Sequence, residues 1–219
     1  QGKLDGYQVS CERIRNLRKQ RRFKLDGYGN KAVSDRFGKL GRFNRLLFGL
    51  LGNPAAELLT HYSQLSQRQS LRAGCLLAAL GLAGFTLGGY VLRLAGDASD
   101  GVALSGLWLA GCAVFLSLII LLAISRLWLR RRSSWGSDTF IAGATVLPMG
   151  VFALVSPVAI MVPSLWLLLL CVAIHHTFLT LYSGCHQIHQ YSEAVATWLT
   201  PSLLFVCLSM GYLVWNAWI

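Results

Sequence analysis

Five apolar stretches, each about twenty residues long, constrain the fold of this chain more than any other feature of its sequence. They cover about residues 73–92, 102–124, 139–162, 164–182 and 194–218. A helix needs about 20 apolar residues to cross the hydrocarbon core of a bilayer, where every backbone amide must find its partner within the helix. The sequence therefore predicts an all-α integral membrane protein, with residues 73–219 forming a five-helix transmembrane bundle.

The basic residues are concentrated at one end of the chain and in one loop. Of the 20 Lys and Arg residues, fifteen precede residue 73, one is Arg93 and four lie within 126–132. Basic residues that flank spans stay on the cytoplasmic side of a membrane. We therefore expect a cytoplasmic N-terminus and, after five crossings, a C-terminus on the opposite side. The same charge predicts a basic extramembrane arm over residues 1–45 and an amphipathic juxtamembrane segment over 46–72.

A five-residue motif occurs twice in this basic arm, because Lys3–Tyr7 and Lys24–Tyr28 both read KLDGY. The Asp-Gly pair favours a turn, across which the flanking Leu and Tyr side chains can pack. Two copies indicate two docking elements for a partner protein, and their linkage raises the effective concentration of the second contact. The predicted partner-binding residues are Leu4, Asp5, Gly6, Tyr7, Leu25, Asp26, Gly27 and Tyr28.

The end of the arm pairs one basic residue with one large apolar residue at every third position. This pattern predicts a segment that lies along a bilayer, with apolar side chains inserted and cations reaching anionic headgroups. Nucleic acid is disfavoured as a partner because no nucleic-acid-binding module is recognisable. Retention of positive charge in the cytoplasm, without a specific ligand, explains the charge equally well. The predicted lipid-binding residues are Arg36, Phe37, Lys39, Leu40, Arg42, Phe43 and Arg45.

Four histidines in the second half of the chain are the main candidates for chemistry. His175 and His176 lie in the fourth predicted span, and His186 and His189 follow it near Cys185. A metal or haem would need three or four converging ligands, but no HExxH motif or CxxC pair accompanies these residues. The competing interpretation is that they are interfacial or packed histidines, hydrogen-bonded to neighbouring helices. We predict no metal site.

The five predicted spans contain no Lys, Arg, Asp or Glu. Ion-coupled transport needs ionisable groups at membrane depth, and no nucleotide-binding loop or nucleophile elbow is present. We therefore expect neither enzymatic activity nor a cofactor. Gly84 and Gly88 form a GxxxG step that predicts close helix packing, either within the bundle or against a partner.

Two segments resemble the Yip1 domain family of membrane proteins, in its bacterial form. Gly52–Leu59 reads GNPAAELL and is similar to the segment before the first span in that family. Tyr182–Ala194 reads YSGCHQIHQYSEA and resembles the segment that joins the last two spans. The resemblance covers about residues 46–219 and implies a non-catalytic helical scaffold or adaptor. The Asp-Leu-Tyr-Gly-Pro motif of eukaryotic members is missing, so the resemblance does not extend to binding of small GTPases.

The sequence therefore predicts a membrane adaptor whose basic arm binds anionic lipid and docks a partner protein. Two other classes stay open: an accessory structural subunit of a large respiratory or photosynthetic membrane complex, and a metal- or haem-binding membrane protein. A bacterial inner membrane or a thylakoid membrane is the favoured location, with an organellar membrane as the alternative.

Overall fold

A computed structural model of the protein describes residue 44 and residues 46–95, 104–131, 133–159 and 162–218. A helical stretch over 46–52 comes first and ends at Asn53, which caps the next helix. The helices that follow are α1 (Pro54–Ser63), α2 (Gln67–Ala95), α3 (Leu104–Trp128), α4 (Trp135–Ala159), α5 (Pro163–Ser183) and α6 (Glu193–Trp218). The π-helical turn, Gly184–Ile188, lies between α5 and α6.

The predicted fold class is confirmed over these residues, which form helices and no strands. Five of the helices, α2 to α6, are long and apolar enough to cross a membrane. The chain is thus an integral membrane protein with five candidate spans. Pro163 occupies the first turn of α5. Proline is tolerated there because its missing N–H would have no partner in the helix.

Two helices begin earlier than their apolar stretches. α2 starts at Gln67, where Ser66 and Gln69 exchange hydrogen bonds: the Gln69 amide donates to Ser66 Oγ, and the Ser66 amide donates to Gln69 Oε1. This reciprocal cap satisfies two backbone donors that a helix start leaves free. α4 starts at Trp135 behind a similar cap, so that Asp138 lies inside the helix.

α2 and α4 form the closest helix pair of the bundle. Glycine recurs every seven residues on both helices, at Gly74, Gly81 and Gly88 on α2 and at Gly136, Gly143 and Gly150 on α4. A Cβ atom added at any of these positions would meet the backbone of the other helix. Small residues allow such backbone contact, which drives helix association in a membrane.

The remaining spans pack around this pair. α3 packs mainly on α6, α5 packs on α4, and α1 lies against α5. The apolar core between α3, α4, α5 and α6 contains Leu118, Leu122, Ile141, Leu181 and Leu203. One end of the bundle, where α3 ends and α4 begins, carries a group of buried polar residues; we call it the polar end.

Candidate functional site

The polar end of the bundle is organised around Asp138, whose side chain is completely buried in the first turns of α4. Arg126 Nη2 lies 3.2 Å from Asp138 Oδ2, and His189 Nε2 lies 3.2 Å from Asp138 Oδ1. Both contacts are within ion-pair distance, and neither carboxylate oxygen has a hydrogen-bond partner among the described residues. A charge this deeply buried needs a partner, because its transfer from water is otherwise very costly. Asp138 thus joins α3, α4 and the segment after α5.

The contacts continue from His189 to two hydroxyl groups. Tyr191 Oη lies 3.2 Å from His189 Nδ1 and 3.2 Å from Ser125 Oγ. Ser125 Oγ donates to the carbonyl oxygen of Leu122, one turn earlier on α3. We call Ser125, Arg126, Asp138, His189 and Tyr191 the buried polar cluster. Each of the five is at most 8% exposed, so the cluster is shielded from solvent.

The directions of these hydrogen bonds specify where the protons lie. Because the Ser125 hydroxyl donates to a carbonyl oxygen, Tyr191 donates to Ser125 Oγ. His189 Nδ1 must then carry the proton of its contact with Tyr191, while its Nε2 faces the Asp138 carboxylate. Arg126 and His189 thus approach the one carboxylate from two different elements.

Burial also acts on the phenol of Tyr191. Its removal from water raises its pKa above the ordinary value, and the hydrogen bond with Ser125 partly offsets this rise. The phenol therefore stays neutral, so that its hydroxyl can donate to Ser125 Oγ.

Serine residues hold the loop between α3 and α4 over the cluster. The Ser137 amide donates to Ser134 Oγ and the Ser134 amide donates to Ser137 Oγ, which caps the start of α4. Arg126 Nη1 donates to the carbonyl oxygen of Ser133, and its guanidinium lies 5.6 Å from the centre of the Trp135 ring. Arg126 thus closes the loop as well as pairing with Asp138.

The π-helical turn leads into the segment that carries His189 and Tyr191. Gln190 has φ 55°, a left-handed conformation that is uncommon for a residue with a Cβ atom. The backbone turns at this residue, so that the Tyr191 hydroxyl contacts His189 Nδ1. The carbonyl oxygen of Tyr191 lies 3.0 Å from His186 Nδ1. π-helical turns often occur at functional positions.

The two segments singled out by sequence lie in contact. Gln187 Nε2 donates to the carbonyl oxygen of Ala55 at 2.9 Å, across 132 residues of sequence. Leu58 on α1 is fully buried, and the Tyr62 and Phe140 rings lie 5.8 Å apart. α1 is therefore held against the polar end of the bundle.

The predicted site residues fall into three groups by where the structure places them. All the predicted partner-binding and lipid-binding residues of the arm lie outside the described residues. Gly84 and Gly88 face α4, and a Cβ atom at Gly84 would lie 2.6 Å from the Gly150 carbonyl oxygen. The histidines separate into an exposed His175 next to His176, and the pair His186 and His189 around Tyr191. Among the described residues, no three His, Cys, Asp or Glu side chains form a group that could hold a metal.

Sequence reasoning missed the centre of the cluster. The prediction that the spans contain no Lys, Arg, Asp or Glu is wrong for the helices as they form, because α3 extends to Trp128 and α4 begins at Trp135. Arg126 and Asp138 therefore lie inside helices. Arg126 is buried, whereas Arg130 and Arg131 are exposed. An Arg at the end of one span and an Asp at the start of the next is the signal that would have indicated the pair.

None of the five residues of the cluster lines the apolar cavity between the α2–α4 and α3–α6 helices. The contacts within the cluster join α3, α4 and the segment before α6, and they can fix the positions of these helix ends. A comparison of the chain with protein-family models, curated proteins and solved structures found no match.

Proposed function

We propose that this protein is a non-catalytic membrane scaffold or adaptor, with its polar end as a rigid base and its basic arm as the part that binds. The observation that carries the proposal is the internal pairing of the polar side chains: Asp138 contacts Arg126 and His189, and Gln187 bonds to Ala55. These contacts fix helix ends without presenting a reactive group. This arrangement is what a docking platform requires, and it agrees with the resemblance to the Yip1 domain family.

The arm supplies the binding chemistry in this proposal. It carries thirteen Lys and Arg residues, and its last ten residues alternate cations with Phe and Leu side chains. Anionic headgroups attract such a segment by about 1 kcal/mol per basic residue near the surface, and its rings add apolar burial. The two KLDGY motifs would dock a partner protein at the surface where the lipid holds the arm.

Protease protection in nanodiscs tests the lipid contact in the full chain. Chymotrypsin cleaves after Phe37 and Phe43, which the proposal places in the lipid interface. We expect cleavage at both residues to be slower in nanodiscs that contain anionic lipid than in neutral ones. Because salt screens exposed charges over about 8–10 Å, about 1 M salt should restore rapid cleavage.

Two variants make this experiment specific for charge. Replacing Arg36, Lys39, Arg42 and Arg45 by Gln should remove the protection, whereas replacing the three arginines by Lys keeps the charge and should preserve it. Equal cleavage rates in neutral and anionic nanodiscs would contradict the lipid contact.

Purification in mild detergent tests the partner contact. A protein that co-purifies with the full chain should be lost when Tyr7 and Tyr28 are both replaced by Ala. Each single replacement should weaken binding less than the double one, because the remaining motif still docks. An identical set of co-purifying proteins with and without residues 1–45 would contradict docking by the arm.

A further inference from the structure

α5 is the least buried of the five candidate spans. Its apolar window is 22% buried among the described residues, against 28% to 56% in the other four spans. α5 packs on α4, and its residues Ala173 and Thr177 are buried. The opposite face of the helix is exposed over several turns. We call four exposed residues on this face the α5 stripe: Ser164, Leu168, Cys171 and His175.

The α5 stripe has the spacing with which two parallel helices pack on each other. Its members are separated in turn by four, three and four residues. This is the spacing of the a and d positions of a heptad, which meet the partner helix along a coiled coil. Eleven residues (175 − 164 = 11) extend over about 16 Å of helix. The stripe can therefore contact one neighbouring helix through about half of the 30 Å hydrocarbon core.

His175 places a polar group at the middle of this span. It lies twelve residues after Pro163 and thirteen before Ile188, the two ends of the span (175 − 163 = 12; 188 − 175 = 13). Its side chain is exposed, beside the His176 ring at a centroid distance of 6.5 Å. Hydrocarbon offers no hydrogen bond, and ionisable residues at this depth almost always face a bundle interior or a polar partner. The exposed imidazole therefore calls for a partner on another helix.

We propose that two copies of this protein associate through the α5 stripe, with one His175 imidazole donating a hydrogen bond to the other. A neutral imidazole has one donor and one acceptor nitrogen, so two identical rings can pair. The basic residues give every copy the same orientation in the membrane. A twofold axis along the membrane normal then brings His175 opposite His175 at one depth. A second copy thus supplies a polar group at the level where the stripe needs one.

This interface is separate from the buried polar cluster and does not depend on the adaptor function proposed above. Oxidation of Cys171 tests it directly, because Cys171 lies one turn before His175 in the stripe and is exposed. A disulfide forms when two Cα atoms approach to about 4.4–6.8 Å. The full-length protein with Cys11→Ser is oxidised with copper phenanthroline in membranes of the expressing cells. We expect a crosslinked species of twice the protein's own mass, which a reducing agent removes.

Three variants make the crosslink specific for the stripe. Cys171→Ala should abolish it, whereas Cys75→Ala should preserve it, since Cys75 is the exposed cysteine of α2. Val172→Cys in the Cys171→Ala background is the matched control. It moves the thiol by one residue, at nearly the same depth, to a position about 100° around the helix. Crosslinking of this variant should be much slower than that of Cys171.

Substitutions of His175 test the hydrogen bond. The dimer dissociation constant is measured by energy transfer between labelled copies of purified protein in proteoliposomes of rising lipid content. His175→Leu should raise this constant about 3- to 30-fold, because hydrogen bonds between membrane helices are worth about 0.6–2 kcal/mol and 1.4 kcal/mol is tenfold. His175→Asn should keep most of the affinity, since an amide also donates and accepts between helices.

Three results would overturn the proposal. Equal crosslinking rates through Cys171 and in the Val172→Cys variant would indicate random collision. An unchanged dissociation constant in His175→Leu would remove the hydrogen bond. A Cys171 crosslink at a mass other than twice that of the protein would assign the stripe to a partner of different sequence. Melting temperatures identify any variant that fails to fold, and the Cys171 crosslink in protein with His175 intact still decides the question in that case.

Discussion

Asp138 lies fully buried between Arg126 and His189 at the polar end of the bundle, whereas the opposite half contains an apolar cavity of about 410 Å³. At the polar end, Arg126 and His189 face Asp138 from neighbouring elements. The cavity lies between α2 and α4 on one side and α3 and α6 on the other, and its walls are apolar. The difference teaches that charged contacts connect the helix ends in one half of the bundle, whereas the other half leaves apolar surface open between its helices.

The largest effect should follow removal of the central carboxylate. Asp138→Ala leaves Arg126 and His189 buried without their anion, which should lower the free energy of unfolding by about 3–5 kcal/mol. Thermal melting in detergent checks this loss. Glu57→Ala is the matched control, because Glu57 pairs with His61 at 3.3 Å with a half-exposed side chain, and such surface pairs contribute about 0–1 kcal/mol.

A double variant distinguishes an unpaired charge from lost packing. Arg126→Met with Asp138→Leu removes both charges of the pair and should recover much of the stability, as apolar replacements of buried ion pairs often do. Equal melting temperatures of Asp138→Ala and wild-type protein would contradict the importance of the cluster.

A smaller loss should follow substitution in the α2–α4 pair. Gly150→Ala places a Cβ atom against the backbone of Gly81, which can relax only if the helices separate. Overpacking of this kind costs about 1–3 kcal/mol. Gly52→Ala is the control, since no atom lies within 4 Å of a Cβ atom added there. A melting temperature that falls equally in both variants would indicate that close packing is not the cause.

The smallest effect concerns pH and Tyr191. Burial raises the pKa of this phenol above its ordinary value, which is about 10. The folded protein therefore holds the phenolic proton more tightly than the unfolded chain. This contribution to stability is fully present below about pH 10 and is lost as the pH rises through the raised pKa of the folded state.

Tyr191→Phe isolates this titration from other alkaline effects. The melting temperature of wild-type protein should fall more steeply above pH 10 than that of the variant. Parallel curves for the two proteins would show that the buried phenol contributes nothing to the alkaline loss.

The sequence was sufficient for the fold class because long apolar stretches leave the backbone no alternative to helices in a membrane. Pro163 marked the start of α5 for a similarly local reason. The apolar stretches did not define the polar ends of the helices, where Ser66 and Ser134 extend α2 and α4 by capping. Asp138 was missed for this reason, since it lies three residues beyond the capped start of α4.

The remaining part of the site depends on contacts between distant segments. His189 was recognised as a candidate from its type, but its contact with Asp138 on α4 joins segments that are far apart in the sequence. The contact of Gln187 with Ala55 spans 132 residues and leaves no local pattern. The cavity likewise results from the separation of two helix pairs, which the composition of a single helix does not encode.

Hydrogen–deuterium exchange of the full chain in nanodiscs tests most directly whether the buried polar cluster holds the polar end together. The account predicts slow exchange for α1 and for residues 184–192 in wild-type protein, and much faster exchange of both segments in Asp138→Asn, with α2 unchanged. Exchange of the two segments that is equally fast in wild-type protein and in Asp138→Asn would contradict it.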